Sequence, residues 1–313
     1  MTTAPATAGV HHVTAIASDA RRNLAFYTQT LGLRFIRRTV NFDDPTTYHF
    51  YFGDEVGTPG TILTFFPWAH VAPGRAGVGQ TMETSFRVPE GSVGFWAERF
   101  VARGVVHDAP ERRFGRTVLP FRDPDGMRLA LVATPAAEAE PAWTTPEIAA
   151  EAAIRGFAGV TLLVGDAGPT GAVLSDVLGF VEIGKEGTLV RHATGAQHGG
   201  IVDLRIAPGF LPATMGAGSV HHVAFRAADD AAQAAMARRL AREHGLPVTE
   251  QKDRTYFRSV YFREPAGVIF EIATDGPGFT VDESRDALGT ALRLPAQYEP
   301  HRAAIESALP SLA

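Results

Sequence analysis

The triplet His-His-Val occurs twice: near the start of the chain, as Gly9-Val10-His11-His12-Val13, and far along it, as Ser219-Val220-His221-His222-Val223. A motif that recurs in the same strand-like setting marks a duplicated structural unit, and duplication restricts the chain to tandem architectures. Neutral imidazole is also the commonest protein ligand for transition metals. Glu271 adds a carboxylate inside the apolar stretch Gly267-Val268-Ile269-Phe270-Glu271-Ile272, where an ionised group needs a compensating partner. Two histidines and a carboxylate on facing strands would make a metal site with open positions.

A strand–helix–three-strand order can be read four times. The first copy has a strand at 10–17, an N-cap at Ser18 or Asp19, a helix at 23–31 and a stop at Gly32. Strands follow at 33–40, 47–52 and 61–68, the last two parted by Gly57-Thr58-Pro59-Gly60. The last copy has a strand at 220–226, an Ala-rich helix at 229–244 ended by Gly245, and strands at 254–263 and 268–274. Two middle copies lie at about 80–134, with a helix at 93–103, and at about 156–206. The turns Asp123-Pro124-Asp125-Gly126 and Glu264-Pro265-Ala266-Gly267 correspond position by position. The chain divides into residues 1–134 with two modules, a linker at 135–154 rich in Ala, Pro and Glu, residues 155–280 with two more, and a tail at 281–313 carrying a helix near 300–309. The class is α+β.

Strand alternation chooses between the paired histidines, because successive side chains point to opposite faces. Val223 and Phe225 mark the face packed beneath a helix, so His222 points to the concave side; His12 does the same in the first strand. Val268, Phe270 and Ile272 likewise leave Glu271 on the concave side, and Tyr261 falls opposite Val260 and Phe262. His12, His222, Glu271 and Tyr261 therefore converge, provided the first and last copies pair.

Composition narrows the chemistry. A length of 313 residues suggests about two domains. A net charge of −5 with 20 % charged residues gives no footprint for nucleic acid or anionic membrane. No apolar run approaches the ~18 residues of a spanning helix, and residues 1–6 carry no secretory signal pattern; the expected location is cytoplasmic. With no cysteine, disulfides, thiolate catalysis and Cys-ligated metal are excluded, and any metal must sit on His, Asp, Glu or water. No Gly-x-Ser-x-Gly elbow or phosphate-cradling glycine motif is present. Arg21-Arg22 and Arg37-Arg38 read as solvated faces. His49, His70, His107, His192, His198, His244 and His301 show no ligand spacing and receive no role.

Three segments carry a resemblance over nearly the whole chain: HHVTAIASDARRNLAFYTQTLGLRFIRRTVNFDDPTTYHFYFGDEVGTPGTILTFFPW, SVHHVAFRA and DRTYFRSVYFREPAGVIFEIATDGPGF. They resemble the vicinal-oxygen-chelate superfamily of glyoxalases, bleomycin-resistance proteins and extradiol dioxygenases, most closely its hydroquinone-type ring-cleaving dioxygenases. The resemblance implies four βαβββ modules forming two curved mixed-sheet barrels. It implies iron ligands at His12, His222 and Glu271, and supporting roles for His11, Thr14, His221, Arg254 and Tyr261. Alternation sends His11 and His221 to the opposite face, so they reach the site only at a strand end or a bulge.

The middle copies lack ligands. The position of His12 is Glu83 in the second and Gly159 in the third; that of Glu271 is Ala130 in the second and Thr64 in the first. One site per chain is expected, built by the first and last copies over a metal-free scaffold. A glyoxalase I-like site would carry a second carboxylate, which is missing.

The leading expectation is an Fe(II)-dependent ring-cleaving dioxygenase of aromatic hydrocarbon catabolism, inserting both atoms of O2 into a hydroquinone-like or other dihydroxylated ring. Mn(II) suits the same ligands, and Zn(II) could occupy them in a purified sample. A redox-neutral isomerase and a metal-free binding protein of the bleomycin-resistance type are the alternatives. The expected partners are a small aromatic molecule and O2, with homo-oligomerisation left open. Phe26, Phe52 and Phe257 are aromatic candidates for the pocket, which the sequence does not place.

Overall fold

Apolar residues on one face of 10–17 form β1 (Val10–Ala17), and Asp19 caps the helix that follows by accepting from the Arg22 N–H at 2.7 Å. This helix, α1 (Ala20–Ala25), is shorter than its periodicity predicts, because the chain passes at Phe26–Thr30 into one π-turn. The Thr28 hydroxyl donates to the Leu24 carbonyl at 2.7 Å, a back-bond that competes with the helical ladder. Strands β2 (Arg34–Val40), β3 (Tyr48–Gly53) and β4 (Ile62–Pro67) complete the first module. The structure, a computed structural model, describes residues 9–312; residues 1–6, read above for a secretory signal, and residue 313 lie outside the described residues.

The second module runs β5 (Gln80–Pro89), α2 (Val93–Ala102), β6 (Glu111–Arg113), β7 (Arg116–Arg122) and β8 (Arg128–Thr134); the third runs β9 (Phe157–Val164), α3 (Ala167–Asp176), β10 (Val181–Glu186), β11 (Leu189–Ala193) and β12 (Ile201–Ile206). The fourth has β13 (Val220–Ala227), α4 (Asp230–Glu243), β14 (Lys252–Asp253), β15 (Arg258–Arg263) and β16 (Ile269–Thr274). The single strand expected at 254–263 is broken at 254–257. Asp253 accepts from the Thr255 N–H at 2.7 Å, and Thr255 adopts φ +71°.

Two eight-stranded mixed sheets result, ordered β14-β15-β16-β13-β1-β4-β3-β2 and β10-β11-β12-β9-β5-β8-β7-β6. Each joins modules from both halves of the chain: first with fourth, second with third. β1 runs antiparallel to β13, and each runs parallel to the last strand of its own module. The core lies between the sheets and their helices, where Val13, Phe225, Phe270 and Leu240 are buried. The matched turns clasp one sheet to the other. Ser18 donates to Asp125 at 2.6 Å, and Thr170 donates to Glu264 at 2.6 Å.

The linker at 135–154 is packed rather than free: Ile148, Ala152 and Ala153 are buried, and the Trp96 indole donates to the Ala152 carbonyl at 2.9 Å. The tail carries α5 (Arg302–Ala308) and covers the exposed edge of β2, where the Arg293 N–H donates to the Arg38 carbonyl at 2.9 Å. Arg37 corrects an expectation. It is fully buried, paired with Glu283 at 2.5 Å and Asp282 at 2.7 Å, because the tail brings those carboxylates over β2. No helix among the described residues is long and apolar enough to cross a membrane.

Candidate metal centre

On the concave face of the first sheet, β1, β13 and β16 present His12, His222 and Glu271 to one point. His12 Nε2 lies 3.3 Å and His222 Nε2 3.0 Å from Glu271 Oε2, and the two nitrogens are 3.4 Å apart. All three side chains are buried, and Glu271 Oε2 has no well-formed hydrogen bond. Atoms bound about 2.1 Å from one small divalent ion at neighbouring octahedral positions stand roughly 3 Å apart. The three separations fit that arrangement, so this donor set suits a divalent metal and leaves its other face open. Among the described residues no other cluster of metal-ligating side chains converges in this way.

Electrostatics agree. Burial opposes ionisation of Glu271, but the two imidazoles outweigh it and hold its pKa well below the usual carboxylate range. Burial also lowers the pKa of His222, keeping the neutral form a metal needs. Ser259, buried on β15, donates to Glu271 Oε1 and orients the carboxylate. It lies two positions before Tyr261 on the same face, so alternation could have found it.

The placement of His11 and His221 follows from two β-bulges. Pairing steps from Val10↔Phe225 to His12↔Ala224, and from Thr14↔His222 to Ala15↔Val220, leaving His11 and His221 as the extra residues. Strict alternation is thereby overridden. His11 Nδ1 lies 2.9 Å from His12 Nδ1, and His221 Nδ1 2.8 Å from His222 Nδ1. On the other side of β1 the Gly60 N–H donates to the His11 carbonyl at 2.7 Å, continuing the unbroken ladder to β4. Burial lowers the pKa of His11, and takes that of His221 to about 3. Both are therefore neutral, and with the shared Nδ1 hydrogen carried by the inner histidine of each pair, its Nε2 lone pair would be free for a metal.

A cavity of about 270 Å³ opens over this group. Thr14, His221, Arg254 and Tyr261 line it; His11 sits behind His12 against Phe257. The Arg254 Nε–H donates to the Tyr261 hydroxyl at 3.2 Å, and burial raises the Tyr261 pKa, so the phenol stays protonated. The break at 254–257 brings Arg254 and Phe257 into the lining, with the Phe257 ring 4.9 Å from that of His12. Phe42, Phe66 and Trp68 supply apolar wall. Phe26 and Phe52 do not: both point into the core, on the helix side of the sheet. His49 and Tyr51, given no role above, also line the cavity. A larger cavity, about 650 Å³, lies in the second sheet, but its donors are engaged in Arg–carboxylate pairs.

The family model described as Glyoxalase/Bleomycin resistance protein/Dioxygenase superfamily matches residues 9–131 and 156–272. The chain is 46 % identical over 303 residues to the provisionally named ring-cleaving dioxygenase MhqO of Bacillus subtilis, covering 97 % of this chain and 96 % of that one. It is 32 % identical over 299 residues to a chlorohydroquinone/hydroquinone 1,2-dioxygenase of Sphingobium indicum, covering 93 % and 92 %. A crystal structure from Bacillus subtilis, itself provisionally described as a dioxygenase, superposes with a TM-score of 0.95 at 44 % identity, over 99 % of both chains.

Proposed function

Since the chain belongs to the glyoxalase/bleomycin resistance protein/dioxygenase superfamily and its near relatives are named dioxygenases, we propose that it is an Fe(II)-dependent extradiol-type dioxygenase that opens a hydroquinone-like ring. The observation that carries the reading is the convergence of His12, His222 and Glu271 beneath a cavity sized for one aromatic ring. Bound by these three residues, iron would supply Lewis acidity toward a ring oxygen and electron transfer between ring and O2.

The chain's own residues do the rest. Phe42, Phe66, Trp68 and Phe257 flank the ring and exclude water. Tyr261, held protonated and oriented by Arg254, donates to an oxygen that gains charge, and the Arg254 cation favours that charge. His221, neutral, accepts at Nδ1 from His222 and offers its Nε2–H as a hydrogen-bond donor at the cavity wall. Both oxygen atoms enter the product as the carbon–carbon bond beside a hydroxyl-bearing carbon is cut.

Oxygen uptake tests this. Protein reconstituted anaerobically with Fe(II) should consume one O2 per ring with at least one hydroquinone or catechol. Mn(II) should support turnover less well or equally, and Zn(II) not at all. No uptake with any dihydroxylated ring overturns the proposal.

A further inference from the structure

Four buried side chains on the first-module flank of the cavity form a continuous hydrogen-bond chain that the ligand group does not use. The Thr64 hydroxyl donates to Thr14 Oγ1 at 2.8 Å, His49 Nε2 lies 2.9 Å from Thr64 Oγ1, and the Tyr51 hydroxyl lies 2.9 Å from His49 Nδ1. One direction decides the others. Thr64 spends its hydrogen on Thr14, so it accepts from His49, whose hydrogen is therefore on Nε2. A neutral His49 then accepts at Nδ1, and Tyr51 donates. Burial favours that neutral form.

The chain leaves two unspent functions at the cavity wall. Thr14 keeps its hydroxyl hydrogen, and Tyr51 keeps oxygen lone pairs; both residues line the cavity. Together they offer a donor and an acceptor, the complement of a neutral hydroxyl rather than of an anion.

Register shows that this flank mirrors the other. Thr64 pairs with Tyr51 in the first module as Glu271 pairs with Tyr261 in the fourth, which makes His49 the counterpart of Ser259. Ser259 orients a carboxylate; His49 orients a hydroxyl chain. Where the fourth module supplies charge, the first supplies neutral polar contacts on the opposite side of the same cavity.

We propose that Tyr51, His49, Thr64 and Thr14 read the ring hydroxyl that is not held at the His12–His222–Glu271 group, with Thr14 and Tyr51 touching it and His49 and Thr64 positioning them. This rests on the reading of the cavity as a site for a dihydroxylated ring. A site built to hydrogen-bond a hydroxyl rejects the analogue lacking it, because its own buried groups are left unpaired.

Binding without turnover separates the two proposals. Zn(II)-loaded protein under nitrogen is titrated with hydroquinone and with phenol, following the fluorescence of Trp68, which lines the cavity. Wild type should prefer hydroquinone by about tenfold, the size of one or two well-placed hydrogen bonds. Tyr51→Phe, which deletes one oxygen, and His49→Gln should each reduce that preference to about threefold or less while leaving phenol affinity unchanged. Thr14→Val should do the same, and Thr14→Ser should restore it. Equal affinities in wild type, no binding of either ring, or an undiminished preference in Tyr51→Phe and Thr14→Val overturns the inference. A preference that behaves as stated in a protein that never consumes O2 upholds it while the dioxygenase reading fails.

Discussion

The two sheets share one architecture and differ in what stands at its centre. Both carry the paired bulges: in the second sheet, pairing steps from Thr81↔Leu162 to Glu83↔Thr161 and from Ser85↔Gly159 to Phe86↔Phe157, leaving Met82 and Ala158 as the extra residues. The bulge thus belongs to the module rather than to the metal. In the first sheet it seats a second imidazole behind each candidate ligand; in the second the same positions hold methionine and alanine. At the positions of His12 and Glu271 the second sheet has Glu83 and Asp203, paired with Arg113 at 2.5 Å and with Arg191 at 2.7 Å. Two guanidiniums stand where a divalent cation would. At the position of His222, Gly159 lies so close to β12 that an added Cβ would meet the Ile201 carbonyl oxygen at 2.0 Å. No histidine fits there without moving a strand. The lesson is that the fold supplies the cavity and the bulges, and a handful of side chains decides whether a cavity becomes a metal site.

The sharpest way to break this comparison is to remove a candidate ligand. His12→Ala or His222→Ala should abolish ring cleavage, with O2 uptake reduced to background, while the fold persists by circular dichroism. Transplanting the carboxylate tests the other side: Ala130→Glu should add no second metal by elemental analysis, since Gly159 leaves no room for a nitrogen ligand. Next in size is the imidazole behind the ligand. His221→Ala should weaken metal affinity by about 10–100-fold, as loss of an outer hydrogen-bond partner typically does, measured by competition with a chelator.

Arg113→Ala isolates the second sheet. It leaves Glu83 uncompensated and should cost roughly 3 kcal/mol, the low end for a buried pair, because the cavity mouth admits water. The melting temperature should fall while the metal content stays unchanged. The last effect is the pH slope of the metal-free protein. His11, His49, His221 and His222 have folded pKa values lowered by burial. The unfolded chain therefore binds protons that the folded one refuses, and stability falls as pH drops below about 6.5, continuing toward pH 3 through His221. His221→Gln should flatten the melting-temperature profile over that range.

Much of this was legible from residues two apart on a strand. Val223 and Phe225 facing the core put His222 on the other side, and the same logic placed Glu271 and Tyr261. It also reaches Ser259, and it reaches His49 and Tyr51 through core-facing Phe50 and Phe52. Those residues were passed over because none has ligand spacing; their role depends on partners across strands, such as Thr64 with Thr14. The bulges were hidden for a related reason: a bulge is a property of pairing, not of one strand. Its trace was Val10 and Val13, three apart and both buried in the core. The break at 254–257 and the burial of Arg37 depend on Thr255 and on the returning tail, neither of which leaves a periodic signal.

The account stands on one metal position per chain, built by the first and fourth modules alone. Metal analysis of anaerobically reconstituted wild type and Glu271→Ala, after removal of unbound ion, tests it most directly. One equivalent of iron in wild type and essentially none in the variant is the predicted result. Two equivalents in wild type, or full retention in Glu271→Ala, would contradict it.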